Sequence, residues 1–572
     1  MTAADQAPPP GLSPFREDFT DEETAILARH FTNTTEPVFA LVGLPEVVKG
    51  ALFARYSRSP KSLRRLFLDE FYDPTADVGA AEGHTGTARA DELYHRVFTQ
   101  YGDDSVAQLG GIHLACEQAS NLLTKILERG RLAAYLEQST RYMFYDERLG
   151  DSYRYLVPPE VAAHPVADRY RSVLDHLFDT YASLTGSLTK HYRRRFPKAD
   201  GDSDFIYRST IRARVCDDLR GLLPAATRSN VGIYANGQAY EAVLLRMRAH
   251  PLAEARAYAD AMLRELRLVA PAFFKRVDLP DRGETWSAYL RATADATAAV
   301  AAALPDDIPE RPEVTLVDWD PEAETKVVAA ALYPHTDLPD DVLLEVVRAM
   351  PPDERRRILL TYAGDRSNRR HRPGRGMERS DYRFDILCDY GIFRDLQRHR
   401  ILSLDWQRLG TAHGYVTPAS IGDIDAEPAW HDAIGAAAEL YGDLAADLDP
   451  MVAQYAVPFA FRIRFYMQLN AREAFHLIEL RTAQGGHPDY RRVCLEMHRL
   501  IRDQAGHTAI ADAMSFVDAS DVELGRLETE RAAEARRSGA VGGGPDQSPS
   551  ASGILKTSSE PSMAIDESAT SE

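Results

Sequence analysis

The chain has 572 residues, 44% of them hydrophobic, and a formal net charge of -19. That length predicts roughly two to four domains at about 100–200 residues each, and that acidity excludes the broad basic surface of a bulk nucleic-acid binder. The longest apolar runs, such as Ala298 to Leu304, fall far short of the ~20 residues a membrane helix needs.

Residues 1–15 (MTAADQAPPPGLSPF) are Pro- and Ala-rich and read as disordered. They lack the basic start and apolar core of a secretory signal. Four scattered cysteines, Cys116, Cys216, Cys388 and Cys494, suit neither a disulfide framework nor a zinc site. A cytoplasmic location is expected. PVFALVGL at 37–44 then reads as an opening strand, followed by helical stretches that reach Arg129-Gly130-Arg131. About a hundred residues on, NGQAYEAVLLRMR from Asn236 runs into the amphipathic helical pattern ARAYADAMLRELRLV. The order then repeats. EVTLVDWD at 313–320 reads as a second opening strand, helices lead to Arg398-His399-Arg400, and NAREAFHLIELR from Asn470 runs into RRVCLEMHRLI. Just before that second tripeptide, the stretch 365–383 carries seven arginines, a run that reads as either a solvated face or a ligand contact. The Pro- and acid-rich stretch around 301–312 marks a linker. Two related α/β (α+β) domains follow, 16–300 and 313–530, each a mixed sheet with long packed helices. The Gly-, Ser- and acid-rich tail 531–572 reads as disordered.

Alone, Arg398-His399-Arg400 reads as a solvated basic face. With Ser403 and Gln407 behind it, and the Asn470 helix further on, it reads as a preformed anion site. Arginine suits that role because its planar fork meets a phosphate with two parallel hydrogen bonds.

Arg398-His399-Arg400, Ser403 and Gln407 resemble the RHRxxS signature of the flavin-dependent thymidylate synthases, the ThyX family. The first half shows the complementary remainder. ERGRLAAYLEQSTRY keeps Glu137-Gln138-Ser139, Arg141 and Tyr142, with Gly130 in place of the histidine and Ala134 in place of the serine. LRGLLPAATRSNVGIYANGQA resembles the family's Arg-x-x-Leu-Pro segment leading to Asn-Ala-Arg, and NAREAFHLIELRTAQ matches the latter strongly. The upstream GHxSxxEH segment is poorly kept. YGDDSVAQL retains Ser105 but has acids at Asp103 and Asp104, and RGMERSDY retains Glu378.

The resemblance implies methylation of dUMP at C5, with methylenetetrahydrofolate as carbon donor and FAD, reduced by NADPH, as hydride source. It implies a dUMP side in the first half: Glu137, Gln138, Ser139, Thr140, Arg141 and Arg220. It implies a flavin side in Arg398, His399, Arg400, Asn470, Arg472 and His476, with Ser105, Arg129, Arg131 and Asn236 as the first half's counterparts. Arg248 and Arg481 take the place of the activating arginine, which stabilises charge developing on the pyrimidine. Family sites form between subunits, so the split signature implies composite sites and a homodimer that imitates a tetramer. The partners expected are small molecules, with no nucleic acid and no membrane. The alternative is a catalytically silent relative that binds a nucleotide or flavin, or scaffolds an assembly. At 100° per residue, Asn470, Arg472, His476 and Arg481 reach one ligand only if the helix begins near Glu473.

Overall fold

The structure, a computed structural model, describes residues 17–57, 59–72, 108–200, 202–305 and 309–520, together with residues 525, 527, 529 and 531. The segments 1–15 and 532–572, expected to be disordered, lie outside the described residues, as does part of the 301–312 linker. The fold is mixed helix and sheet, and the chain divides into two compact units. The first gathers residues up to Pro197, Ile211–Asp318 and Tyr382–Leu469. The second gathers the described residues of Lys198–Thr210, Trp319–Asp381 and those from Asn470 onward. These contact-defined units cut across the halves 16–300 and 313–530 read from the repeat.

The first unit holds two antiparallel-paired sheets. One contains β1 (Gly111–Ser120), β2 (Ala133–Glu137) and β3 (Arg228–Asn236) in the order β1-β3-β2. The other contains β4 (Val314–Trp319), β5 (Tyr382–Asp389), β6 (Ser403–Trp406) and β7 (Arg462–Leu469) in the order β4-β5-β7-β6. Strict alternation sets the facing. Tyr382, Phe384, Ile386 and Cys388 of β5 are buried while the residues between them are partly exposed, the period-2 pattern of a half-buried strand. PVFALVGL does not mirror β4. It makes only an isolated bridge, Phe31 to Leu41, and Val38 is 82% exposed. The Asn33 side chain donates to Val38 O at 2.8 Å, and the Gly111 N–H of β1 is taken by Glu46 Oε2 at 3.1 Å. The local Asn33 bond takes a carbonyl that a ladder would have used.

The repeat is explicit in the order of elements. β1, helix Asn121–Leu127, β2, helix Ala167–Arg195, turn Arg220–Leu222, β3 and helix Gly237–Ala249 form one series. β5, helix Tyr390–Leu396, β6, helix Glu427–Asp447, turn Gln454–Ala456, β7 and helix Ala471–Arg481 form the other. The two segments that follow the turns zip together around Pro224 and Pro458, which face each other in an antiparallel bridge. Ala225 N donates to Val457 O and Phe459 N to Leu223 O, both at 2.9 Å. Ala226 N donates to Tyr455 O and Ala460 N to Gly221 O, also at 2.9 Å. Exchanging the two segments maps each bond onto its mate, which defines a local two-fold relation. Gly221 is required there: a Cβ would meet the indole of buried Trp430 at 2.7 Å. The two long helices, Ala167–Arg195 and Glu427–Asp447, pack beside this junction, where His176 meets Asp432 at 3.0 Å.

The second unit is helical, built from Ala323–Leu332, Asp340–Ala349, Pro352–Ala363, Ala471–Arg481, Pro488–Asp503 and Thr508–Ala513. Arg366 pins its arginine-rich segment. Both guanidinium nitrogens reach Glu479, at 2.7 and 2.6 Å, and the group lies over Phe475 and Phe516.

Candidate functional site

The strands β1 and β5 each end in a helix cap. Ser120 Oγ accepts from Leu123 N and Asp389 Oδ1 from Ile392 N, both at 3.0 Å. The short helices launched there carry a buried cation at matching places, Lys125 and Arg394. Glu137, at the end of β2, lies between them. Arg394 donates to Glu137 at 2.8 Å and to Thr140 at 3.3 Å, while Lys125 reaches Glu137 at 3.1 Å and Glu128 at 2.6 Å. Asp395 receives Arg220 at 3.4 Å and also pairs with Arg398. Burial alone would raise the Glu137 carboxyl, but Arg394 first, then Lys125 and Arg398, hold it well below the usual carboxylate range. Glu128 moves the other way, because burial outweighs Lys125. The result is a network of paired charges that spans the two halves.

A cavity of about 260 Å³ opens beside the network. Both tripeptides line it: Arg129 and Arg131 from the first half, His399 and Arg400 from the second. Its buried lining includes Glu128, Gln397 and His399, and its rim carries exposed Arg129, Arg131 and Arg400. Glu128 Oε1 and Gln397 Oε1 are buried acceptors with no hydrogen-bond partner. At the rim Arg131 donates to Ser403 Oγ at 3.0 Å. Arg129 pairs with Asp405 at 2.9 Å and lies over the Trp406 ring at 5.4 Å. Arg400 has no ion pair among the described residues. Unpaired acceptors inside and cations outside suit a ligand with N–H donors on a ring at one end and a phosphate at the other.

The remaining expected site residues are placed differently. Arg141 forms a fork with Asp217 at 2.5 and 2.8 Å. Gln138 donates through its backbone to Asn230 O at 2.8 Å, and Ser139 Oγ accepts from Arg141 N at 3.2 Å. Arg248 ends the helix Gly237–Ala249 and meets Asp260 at 2.9 Å. Asn236 and Asn470 are both helix caps, accepting from Ala239 N at 2.9 Å and Glu473 N at 3.0 Å. The second helix begins at Ala471 rather than near Glu473, so only Asn470 lies in the extended lead-in. Asn470, Arg472, His476 and Arg481 therefore do not share one face. Arg472 is held by Pro373 O and Glu378, both at 3.0 Å, and His476 by Arg372 at 3.0 Å. Arg481 lies over Tyr490 at 5.2 Å. Ser105, with Asp103 and Asp104, lies outside the described residues. Lys125, Arg394 and Asp395 were not singled out from the sequence. The signal was present: Lys125 and Arg394 each stand four residues before a tripeptide's first arginine.

The chain matches the family described as thymidylate synthase complementing protein over residues 53–272 and again over 315–505. It belongs to that family. The two matched stretches correspond to the two halves of the repeat. Among relatives, a UPF0159 protein of Chlamydia pneumoniae is 37% identical over 523 residues, covering 90% of this chain and 98% of the relative. A UPF0159 protein of Chlamydia muridarum is 36% identical over 521 residues, with the same coverage. A flavin-dependent thymidylate synthase of Clostridium tetani is 26% identical over 181 residues, covering 31% of this chain and 66% of that enzyme. No helix among the described residues is long and apolar enough to cross a membrane.

Proposed function

We propose that the protein is an FAD-dependent thymidylate synthase, whose nucleotide and flavin sites are composites of the two halves. The observation that carries this reading is the cavity that both arginine tripeptides line. Family membership and the flavin-dependent relative support it. Bound FAD, reduced by NADPH, would supply the hydride for methylation of dUMP with methylenetetrahydrofolate. Arg129, Arg131 and Arg400 would hold a pyrophosphate or phosphate, Trp406 would give the adjoining ring an aromatic neighbour, and Glu128 and Gln397 would accept from its N–H groups. The cavity is smaller than the ~300–1,000 Å³ of a typical ligand site, so it would take one end of a dinucleotide. A second chain would complete the site and bring in Arg248 or Arg481 as the activating arginine. The protein would then be a homodimer acting on small molecules in the cytoplasm.

A second reading has its own support. Glu137, Arg141 and Arg220, which would hold the nucleotide, are already paired with Arg394, Asp217 and Asp395. That favours a relative that binds a nucleotide or flavin without turnover. One experiment separates the two. The purified protein is loaded with FAD and desalted, its visible spectrum recorded, and dUMP-dependent tritium release from C5 measured. Retained flavin with tritium release supports the synthase. Retained flavin without release supports the silent binder, and a colourless protein sinks both flavin readings.

A further inference from the structure

Two buried acceptors at the inner end of the cavity have no donor among the described residues. They belong to Glu128 and Gln397, which stand at matching places in the repeat, one residue before each tripeptide. Both residues line the cavity, and they are 3% and 4% exposed. Lys125 anchors the pair. Its ammonium donates to Glu128 Oε2 at 2.6 Å, and its carbonyl accepts from Gln397 Nε2 at 3.2 Å. A carbonyl can only accept, so the second bond fixes the Gln397 amide with its nitrogen on Lys125. Each side chain is left with one oxygen, Glu128 Oε1 and Gln397 Oε1, buried from solvent and without a partner. Two acceptors held by one residue cannot satisfy each other, and leaving them unmet is costly. A single proton on Glu128 turns one of them into a donor.

The surroundings favour that proton. Burial raises the Glu128 carboxyl against the pull of Lys125, and Glu137 adds to the rise while Arg398 opposes it. Lys125 is also divided, since it reaches Glu137 at 3.1 Å. Tyr135 of β2, raised to about 12 by burial, stays a neutral phenol. At the cavity, Arg129 is paired with Asp405, Arg131 and Arg400 lie on the rim, and His399 lies in the wall.

On the ring-binding reading above, we infer that Glu128 selects the ligand of this cavity by proton exchange. In the ligand-free protein its carboxyl holds a proton and is the donor at the inner end. A ring that brings N–H donors takes that place. The O–H bond of Glu128 breaks, the electron pair stays on its oxygen, and the proton leaves to solvent. The carboxylate and the Gln397 carbonyl then accept from the ring. A ring with no N–H on that edge leaves both oxygens unmet and is rejected.

Difference infrared spectroscopy of the full chain against Glu128→Gln tests the proton itself. At about pH 6, where an exposed glutamate is ionised, the unsubstituted chain should show the C=O stretch of a protonated carboxyl that the variant lacks. Identical spectra overturn the inference before any ligand is added. Calorimetric titration with FAD in two buffers of unlike ionisation heat tests the exchange. Close to one proton should be released per FAD bound, and the carboxyl band should disappear. Glu128→Gln should release none and bind at least tenfold more weakly. dUMP run in parallel separates a flavin from a pyrimidine nucleotide as the source of the N–H. Binding of either with the band intact sinks the exchange and leaves the ring-binding reading standing, whereas a chain that binds neither overturns both. A comparison on the unsubstituted chain guards against a misfolded variant: riboflavin should bind at least tenfold more tightly than its N3-methyl derivative, and equal affinity counts against selection by Glu128.

Discussion

Two neighbouring regions of the first unit are built from the same repeated segments and have opposite characters. In one, Lys125, Glu137, Arg394, Asp395, Arg398 and Arg220 pair with one another, all but Arg398 almost fully buried. In the other, Arg129, Arg131 and Arg400 surround a cavity whose inner acceptors have no partner. The difference shows that a charged residue at a binding-motif position is available to a ligand only where the chain has not supplied its partner. Glu137 and Arg220 have charged partners within the chain, while Arg131 and Arg400 have no ion pair among the described residues.

The largest expected effect breaks the closed region. Glu137→Ala leaves Lys125 and Arg394 buried without their shared carboxylate and should cost about 3–5 kcal/mol, read as a fall in denaturation midpoint. An unchanged midpoint would remove the distinction between the two regions. Acid probes the same group. The Glu137 carboxyl is held below its unfolded value of 4.5, so its contribution is fully present above that value and is lost as pH falls below it through the depressed folded value. A Glu137→Gln variant should show a flatter loss of stability below about pH 5. Glu128, shifted upward, adds stability as pH falls toward 4.5 from above, so Glu128→Gln should remove that gain without changing the loss at lower pH.

The open region should respond in the reverse sense. Arg131→Gln/Arg400→Gln should weaken flavin or nucleotide retention at least tenfold, about 1.4 kcal/mol, measured by equilibrium dialysis. The melting transition should stay within about 0.5 kcal/mol of the parent, as expected for exposed substitutions. The smallest effect sharpens the contrast. Asp405→Asn removes only the exposed Arg129 pair, worth under about 1 kcal/mol. By releasing Arg129 it should tighten anion binding a few-fold, and weaker binding would place Asp405 in ligand recognition instead.

Much of the architecture was legible in the sequence because repeated segments make repeated elements. The tripeptides, the asparagine caps and the long amphipathic patterns all recur, and all take matching places. PVFALVGL failed because β-propensity does not decide whether a segment joins a sheet, and here the Asn33 side chain takes the carbonyl of Val38. The tripeptides were readable as an anion site, and they do line one cavity. The pairing of Glu137 with Arg394 was not readable, since the partners are 257 positions apart and only the fold brings them together.

The zipper around Pro224 and Pro458 bears on how the molecule is assembled. Each segment offers donors and acceptors that fit the other and, by the local two-fold relation, also fit a copy of itself. A chain severed within 301–312 should therefore yield two fragments that reassemble when produced together. Either fragment made alone should form symmetric pairs through the same rungs, a self-complementarity that fusion of the halves into one polypeptide turns inward.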